Sequence, residues 1–303
     1  MNFRTLAKYL DSFDKVYGIP GCDCTVYRNH VNVFRQKHGY SDEEAGKKTS
    51  YKDLYFMHSA TKLINCAAII QLEEKGLLSL DDKVTKYIPD FPEDISIKNM
   101  LREYSQTLDR ELHLYNHHNL SKLVRAVTGR SLDDYLLESV FMPLKMKNSS
   151  FTLNYSNIKR ISVQYTMNRK TGEATESKKT LEESFAKNEG CLITTVDDYA
   201  LFAETLCNNG MSKNGYRLLS EQNVKRLIND IVYNETTIDN SFVCIGYNGS
   251  LVLIDLDKKI TIIYAQHVKD FGSLQMEIYP KIREITYKCL GADMWSGGFN
   301  VFP

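Results

Sequence analysis

The chain has 303 residues and a mass of 34.9 kDa, with 43% hydrophobic and 25% charged residues, which excludes a disordered or fibrous protein. Folded as one unit, a chain this long buries about 75% of its unfolded surface and needs no metal or disulfide staple. Lys plus Arg number 38 and Asp plus Glu 38, so the zero formal charge excludes the basic footprint of a nucleic-acid binder or an acidic-lipid face.

Phe3, Leu6, Leu10, Phe13 and Tyr17 recur every three or four residues, the stripe of an amphipathic helix. Lys8, Asp11, Asp14 and Lys15 interrupt that opening, so it does not read as a secretory signal. Gly18-Ile19-Pro20-Gly21 stops the helix. A strand through Cys22, Cys24 and Val26 then turns at Arg28-Asn29-His30 into a second strand from Val31 to Gly39. From Ser59 the run Leu63, Ile64, Cys66, Ala67, Ala68, Ile69, Ile70, Leu72 is apolar on every side, which predicts a helix in the middle of the protein, capped by Gly76. Further helices are predicted over Leu120–Val127, ended by Gly129, from Ser131, and over Val196–Cys207, ended by Asn208-Asn209-Gly210. Residues 159–179 are polar and turn-rich, an excursion of short strands or loop. Phe242–Gly246, Leu251–Asp255 and Ile260–Ala265 are strand runs, and a helix over Ser273–Leu290 follows. Two early strands and three late ones predict one antiparallel sheet built from both chain ends, with a helical insertion packed on it.

No apolar run approaches the roughly 18 residues that cross a bilayer. Seven cysteines, at 22, 24, 66, 191, 207, 244 and 289, include no C-x-x-C pair. They read as reduced, buried thiols in a cytoplasmic protein. His117 and His118 are adjacent and diverge on a helix, so no metal site is expected from them.

Ser59-Ala60-Thr61-Lys62 fits S-x-x-K, as do Ser156-Asn157-Ile158-Lys159 and Ser184-Phe185-Ala186-Lys187. Only Ser59 stands at the first turn of a fully apolar helix. A spacing of three puts Ser59 and Lys62 on one face, and the helix start aims free N–H groups and a positive dipole end at the hydroxyl. A serine becomes nucleophilic when a neighbouring base takes its proton. A lysine can do so only if its ordinary pKa near ~10.4 is brought down to about 7, about 4–5 kcal/mol of differential interaction; burial and the dipole both act in that direction.

Gly18-Ile19-Pro20-Gly21 through Phe56-Met57-His58-Ser59-Ala60-Thr61-Lys62 resembles the opening of the β-lactamase-related serine hydrolases, which include class C β-lactamases, penicillin-binding proteins, DD-peptidases and family VIII esterases. Gln71–Gly76, Leu80–Val84, Tyr87-Ile88-Pro89, Val127-Thr128-Gly129, Pro143–Met146, Thr195–Tyr199 and Leu218-Leu219-Ser220 are similar to later blocks of that family, in the same order. The resemblance implies an α+β, β-lactamase/DD-peptidase-like fold with a five-stranded antiparallel sheet. Residues 1–57 and 235–303 would form the sheet region, and 58–234 the mainly helical region carrying the nucleophile.

It also implies that Ser59 is acylated and Lys62 is its base. The tyrosine of a Y-x-N or Y-S-x motif would be Tyr115, with His113 the alternative proton carrier and Asn116 beside it. The third motif, K-T-G or H-T-G on a facing strand, falls on Cys244-Ile245-Gly246, with the Tyr247 N–H as second oxyanion donor beside that of Ser59. A literal Lys170-Thr171-Gly172 lies in the turn-rich excursion and reads as a hairpin turn. The usual H-T-S-G block is Glu103-Tyr104-Ser105-Gln106, and the Gly-Gly before the late helix reads Asn188-Glu189-Gly190. Cys244 cannot hold a substrate carboxylate as a lysine does, so a neutral ester or amide is the more natural substrate. No cofactor is implied. Two functions follow: a serine hydrolase working through an acyl-enzyme on a small ester or amide, or a catalytically silent binding or regulatory protein on the same fold.

Overall fold

The computed structural model describes residues 1–106, 116–168, 171, 173–176, 190–232, 240–269 and 274–293. The predicted opening helix is two short ones, α1 (Arg4–Leu10) and α2 (Phe13–Tyr17), because the chain leaves the helix at Asp11-Ser12. Leu6, Leu10, Phe13 and Tyr17 nevertheless all turn inward. Strand β1 (Gly21–Arg28) pairs antiparallel with β2 (Val31–Asp42). Asn29 and His30, at φ 50° and 63°, make the tight turn between them, the left-handed geometry that suits the twist of a two-residue hairpin.

The short strands β3 (Lys47–Lys48) and β4 (Tyr55–Phe56) lead to a turn of 3-10 helix, His58–Ala60, and then to α3 (Thr61–Glu74). From Leu63 to Leu72 every residue of α3 is buried, so the all-round apolar pattern has the meaning it suggested. Gly76, at φ 70°, and the Leu77 N–H to Leu72 carbonyl bond of 3.0 Å close that helix. Next come α4 (Ile97–Gln106) and α5 (His117–Thr128), the latter ended by Gly129. After the hairpin β5 (Tyr165–Met167) and β6 (Ala174–Glu176), β7 (Ile193–Thr194) feeds α6 (Val196–Cys207). The chain returns through β8 (Ser241–Ile245), β9 (Leu251–Asp255), β10 (Ile260–Gln266) and β11 (Val268–Lys269) to α7 (Gln275–Leu290).

The main sheet runs β3-β2-β1-β10-β9-β8. Its five long strands are those expected from the two chain ends; the sixth is the two-residue β3, too short to show in a hydrophobic pattern. The join between the ends is the antiparallel β1–β10 pair, Cys24 opposite Tyr264. Alternation divides the side chains: Phe242 and Cys244 face a core shared with α3 and α6, while Val243 and Ile245 face a second core with α1, α2 and α7. β4 pairs with β7, Phe56 opposite Ile193, and thereby ties the approach to α3 to the approach to α6.

The turn-rich stretch is the β5–β6 hairpin, Tyr165 opposite Glu176 and Met167 opposite Ala174. Of the literal Lys-Thr-Gly only Thr171 is described; Lys170 and Gly172 lie outside the described residues. All seven cysteines are free thiols, each buried except the half-buried Cys289. Among the described residues no helix is long and apolar enough to cross a membrane.

Candidate active site

Ser59 lies in the 3-10 turn immediately ahead of α3. That turn is held from three sides. The Met57 N–H donates to the Leu192 carbonyl at 2.9 Å, the His58 N–H points to Cys191 Sγ at 3.1 Å, and the Tyr199 hydroxyl donates to the Ala60 carbonyl at 2.9 Å. One residue on, Thr61 Oγ1 accepts the Leu192 N–H at 3.0 Å. His58 itself is left-handed, at φ 43°, a conformation that costs a non-glycine residue energy and persists where the surroundings impose it.

Lys62 is half-buried on the first turn of α3. Its Nζ donates to the Ser105 carbonyl at 3.3 Å and stands 5.9 Å from the centre of the Tyr104 ring. Ser105 is fixed in turn, its hydroxyl donating to the Arg102 carbonyl at 2.7 Å. Burial holds the Tyr104 phenol well above its ordinary pKa, so it stays a neutral hydroxyl. The stretch Glu103-Tyr104-Ser105-Gln106, which departs from the family block, thus supplies the acceptor for the lysine.

Gly246 follows β8 and closes on the same turn from the sheet side. A Cβ there would overlap the Ser250 hydroxyl and stand 3.1 Å from the Met57 carbonyl, so only glycine lets the strand end approach this closely. Tyr247 is 48% exposed and meets the His58 ring edge-on, at 5.8 Å between centroids. Cys244 is buried on the α3 side of the strand. The fold therefore brings Gly246 and Tyr247 to the turn that holds Ser59, with Lys62 on the first turn of α3. Asn116 caps α5, its Oδ1 accepting the Asn119 N–H at 2.9 Å. His113 and Tyr115 lie outside the described residues.

His117 was not among the residues singled out for chemistry. Its Nδ1 lies 3.1 Å from Asn65 Nδ2, one turn along α3 from Lys62, and its Nε2 lies 2.7 Å from Asp133 Oδ1. Asn65 Nδ2 also donates to the Tyr104 hydroxyl at 2.7 Å, so a polar chain Asp133–His117–Asn65–Tyr104 runs beside the lysine. The signal for it was present: two places after Tyr115, His117 fills the last position of Y-x-N. Gly190 explains its seat, because a Cβ at that φ of 76° would overlap the His117 side chain.

A family model described as Beta-lactamase matches residues 6–105 and 113–270. A teichoic acid D-alanine hydrolase from Staphylococcus aureus (strain MRSA252) is 27% identical over 222 residues, covering 60% of this chain and 56% of that protein. The chain thus spans little more than half the length of that relative. Among solved structures, EstCE1, described as a hydrolase with promiscuous acyltransferase activity, superposes with a TM-score of 0.73 at 15% identity, covering 94% of this chain and 99% of the other. The D-amino acid amidase from Ochrobactrum anthropi SV3 gives a TM-score of 0.73 at 14% identity, with 94% and 97% covered. At such identities these structures establish the α+β, β-lactamase/DD-peptidase-like fold.

Proposed function

The chain belongs to the β-lactamase family, and from that footing we propose that it is a serine hydrolase that cleaves an ester or amide bond through an acyl-enzyme on Ser59. The observation that carries this reading is the seat of Lys62, half-buried one helical turn from Ser59 and oriented by the Ser105 carbonyl. Lys62, as the free amine, takes the Ser59 proton while Oγ bonds to the substrate carbonyl carbon. The proton passes to the leaving alcohol or amine, through Tyr115 or His113. Water then attacks the acyl carbon and Ser59 recovers its proton. The N–H groups of Ser59 and Tyr247 are the donors for the developing oxyanion.

The substrate class in this reading is a D-aminoacyl ester or amide, D-alanyl esters first. Two things support it. The teichoic acid D-alanine hydrolase and the D-amino acid amidase are named for such groups. In addition, a D-alanyl ester has its carboxyl consumed in the scissile bond and so needs no cation where Cys244 stands, unlike a β-lactam or a peptide with a free carboxylate.

A fluorophosphonate adduct located on Ser59 by mass, and hydrolysis of D-alanyl p-nitroanilide and short p-nitrophenyl esters, test the proposal. Ser59→Ala should lower the rate by at least about a thousandfold; an unchanged rate overturns the mechanism. The replacement of the third-motif cation by Cys244 favours a second reading, a catalytically silent binding protein. Absence of both the adduct and any hydrolysis would decide for it.

A further inference from the structure

At the other end of the main sheet from Gly246, three side chains of different chemistry converge. β8 and β9 pair with Ser241 opposite Asp255 and Ile245 opposite Leu251, and Ile260 lies opposite both Asp255 and Arg28. The β1–β2 turn and the last turn of α6 therefore meet beyond that edge. His30, in the turn, reaches Glu204 of α6 with Nδ1 3.1 Å from Oε2. Cys207 is three residues further along α6, on the same face as Glu204. One ligand atom from each of His30, Glu204 and Cys207 lies within 4.8 Å of the other two.

We propose that His30, Glu204 and Cys207 bind a divalent metal ion, Zn2+ by their donor set, at a site separate from the serine. A nitrogen, a carboxylate oxygen and a thiolate are the donors zinc takes. Zinc bonds of about 2.0–2.3 Å place tetrahedral ligand atoms about 3.5 Å apart, so His30 Nδ1 and Glu204 Oε2, at 3.1 Å, would open slightly and a pair at the 4.8 Å limit would close by roughly 1 Å, within side-chain rotation. A carboxylate and a thiolate together neutralise the ion, which lets it sit in a half-buried place without a net charge. One atom there also lacks satisfaction: His30 Nε2 is buried and makes no hydrogen bond among the described residues.

The Cys207 thiol donates to the Asp255 carbonyl, with 3.6 Å between sulfur and oxygen. Burial, with the Glu204 charge beside it, pushes its pKa up to about 12. Burial raises the Glu204 carboxyl, with the Thr261 hydroxyl and His30 acting against it. Coordination replaces the S–H bond by a metal–sulfur bond and sends that proton to solvent, so binding strengthens as pH rises. The fourth position falls to water from the open side, where the His30 side chain is 31% exposed. A bound ion would join the hairpin turn to α6, a structural role that leaves the serine chemistry untouched. Residue 30 lies far from 204 and 207 in the chain, so no ligand spacing announces the set.

The test is titration of the full chain, purified in the presence of chelator and then freed of it, with Co2+ alone and then Zn2+. The proposal expects one equivalent of Co2+, a thiolate-to-cobalt charge-transfer band, tetrahedral visible bands, displacement by Zn2+ and a raised Tm with Zn2+. Cys207→Ser should remove the charge-transfer band. His30→Asn, which keeps a residue at ease in the left-handed turn, should weaken binding by at least about tenfold and guards against a folding defect in the cysteine variant. Less than one equivalent, or equal binding by wild type and His30→Asn, overturns the proposal.

Discussion

At Gly246 a single hydrogen in place of a methyl sets how near the sheet comes to the turn that holds Ser59. Its absent Cβ would stand 3.1 Å from the Met57 carbonyl, a backbone atom with little freedom, and would overlap the Ser250 hydroxyl, which can rotate away. Gly246→Ala should therefore shift the strand end rather than unfold the protein. A displacement of about 1 Å is enough to cost two orders of magnitude in a positioned reaction, so kcat/KM for a p-nitrophenyl ester should fall about a hundredfold, with a stability loss of about 1–3 kcal/mol. Wild-type kinetics in this variant would show that the approach of β8 does not matter to the site. His58 works at the same scale: its left-handed backbone and its contact with Tyr247 connect the two sides of the turn through adjacent residues.

The α3 element is positioned by polar bonds at its leading end, since apolar packing on all sides supplies stability with little direction. Thr61 is 2% exposed and its hydroxyl accepts the Leu192 N–H between β7 and the α3 start. Thr61→Val preserves shape but leaves that N–H without its acceptor, at a cost of about 1–3 kcal/mol. Urea unfolding measures this, and the variant should also lose activity, because the Leu192 carbonyl holds Met57. Thr61→Ser, which keeps the oxygen, should restore most of both. A Thr61→Val protein of unchanged stability would remove this tether from the account of the site. The same logic applies to α4, whose Ser105 carbonyl meets Lys62 while Arg102, one turn earlier, pairs with Asp230.

Across the whole molecule, stability should depend on pH through His267, in the short link from β10 to β11. Buried against Tyr55 and Tyr165, it donates from Nδ1 to the Val163 carbonyl, and burial brings its pKa down to about 4. An unfolded histidine takes its proton near pH ~6.5, so between about 6.5 and 4 the unfolded chain binds more protons than the folded one. Its contribution is complete above pH ~6.5 and is lost as pH falls toward 4, by about 2 kcal/mol at pH 5 and about 3 kcal/mol in full. Chemical unfolding at pH 7 and pH 5 should show a smaller pH difference in His267→Gln than in the wild type. Parallel profiles would mean that the ring is not held neutral.

The alternation of strands, the all-round apolar run of α3 and the glycine stops carry their meaning locally, because backbone periodicity and helix termination depend on neighbours a few residues away. Hence the sheet from both chain ends and the buried helix that follows Ser59 were legible. The break at Asp11-Ser12 and the two-residue β3 were not, since neither changes the pattern of apolar residues. Long-range partners are a different matter. That Lys62 meets the Ser105 carbonyl, that His117 joins Asn65 to Asp133, and that His30 comes to lie beside Glu204 and Cys207 depend on which faces pack together. Hydrogen bonding and electrostatics act over a few ångströms of space, whatever the number of residues between the partners, and the folded chain alone sets those distances.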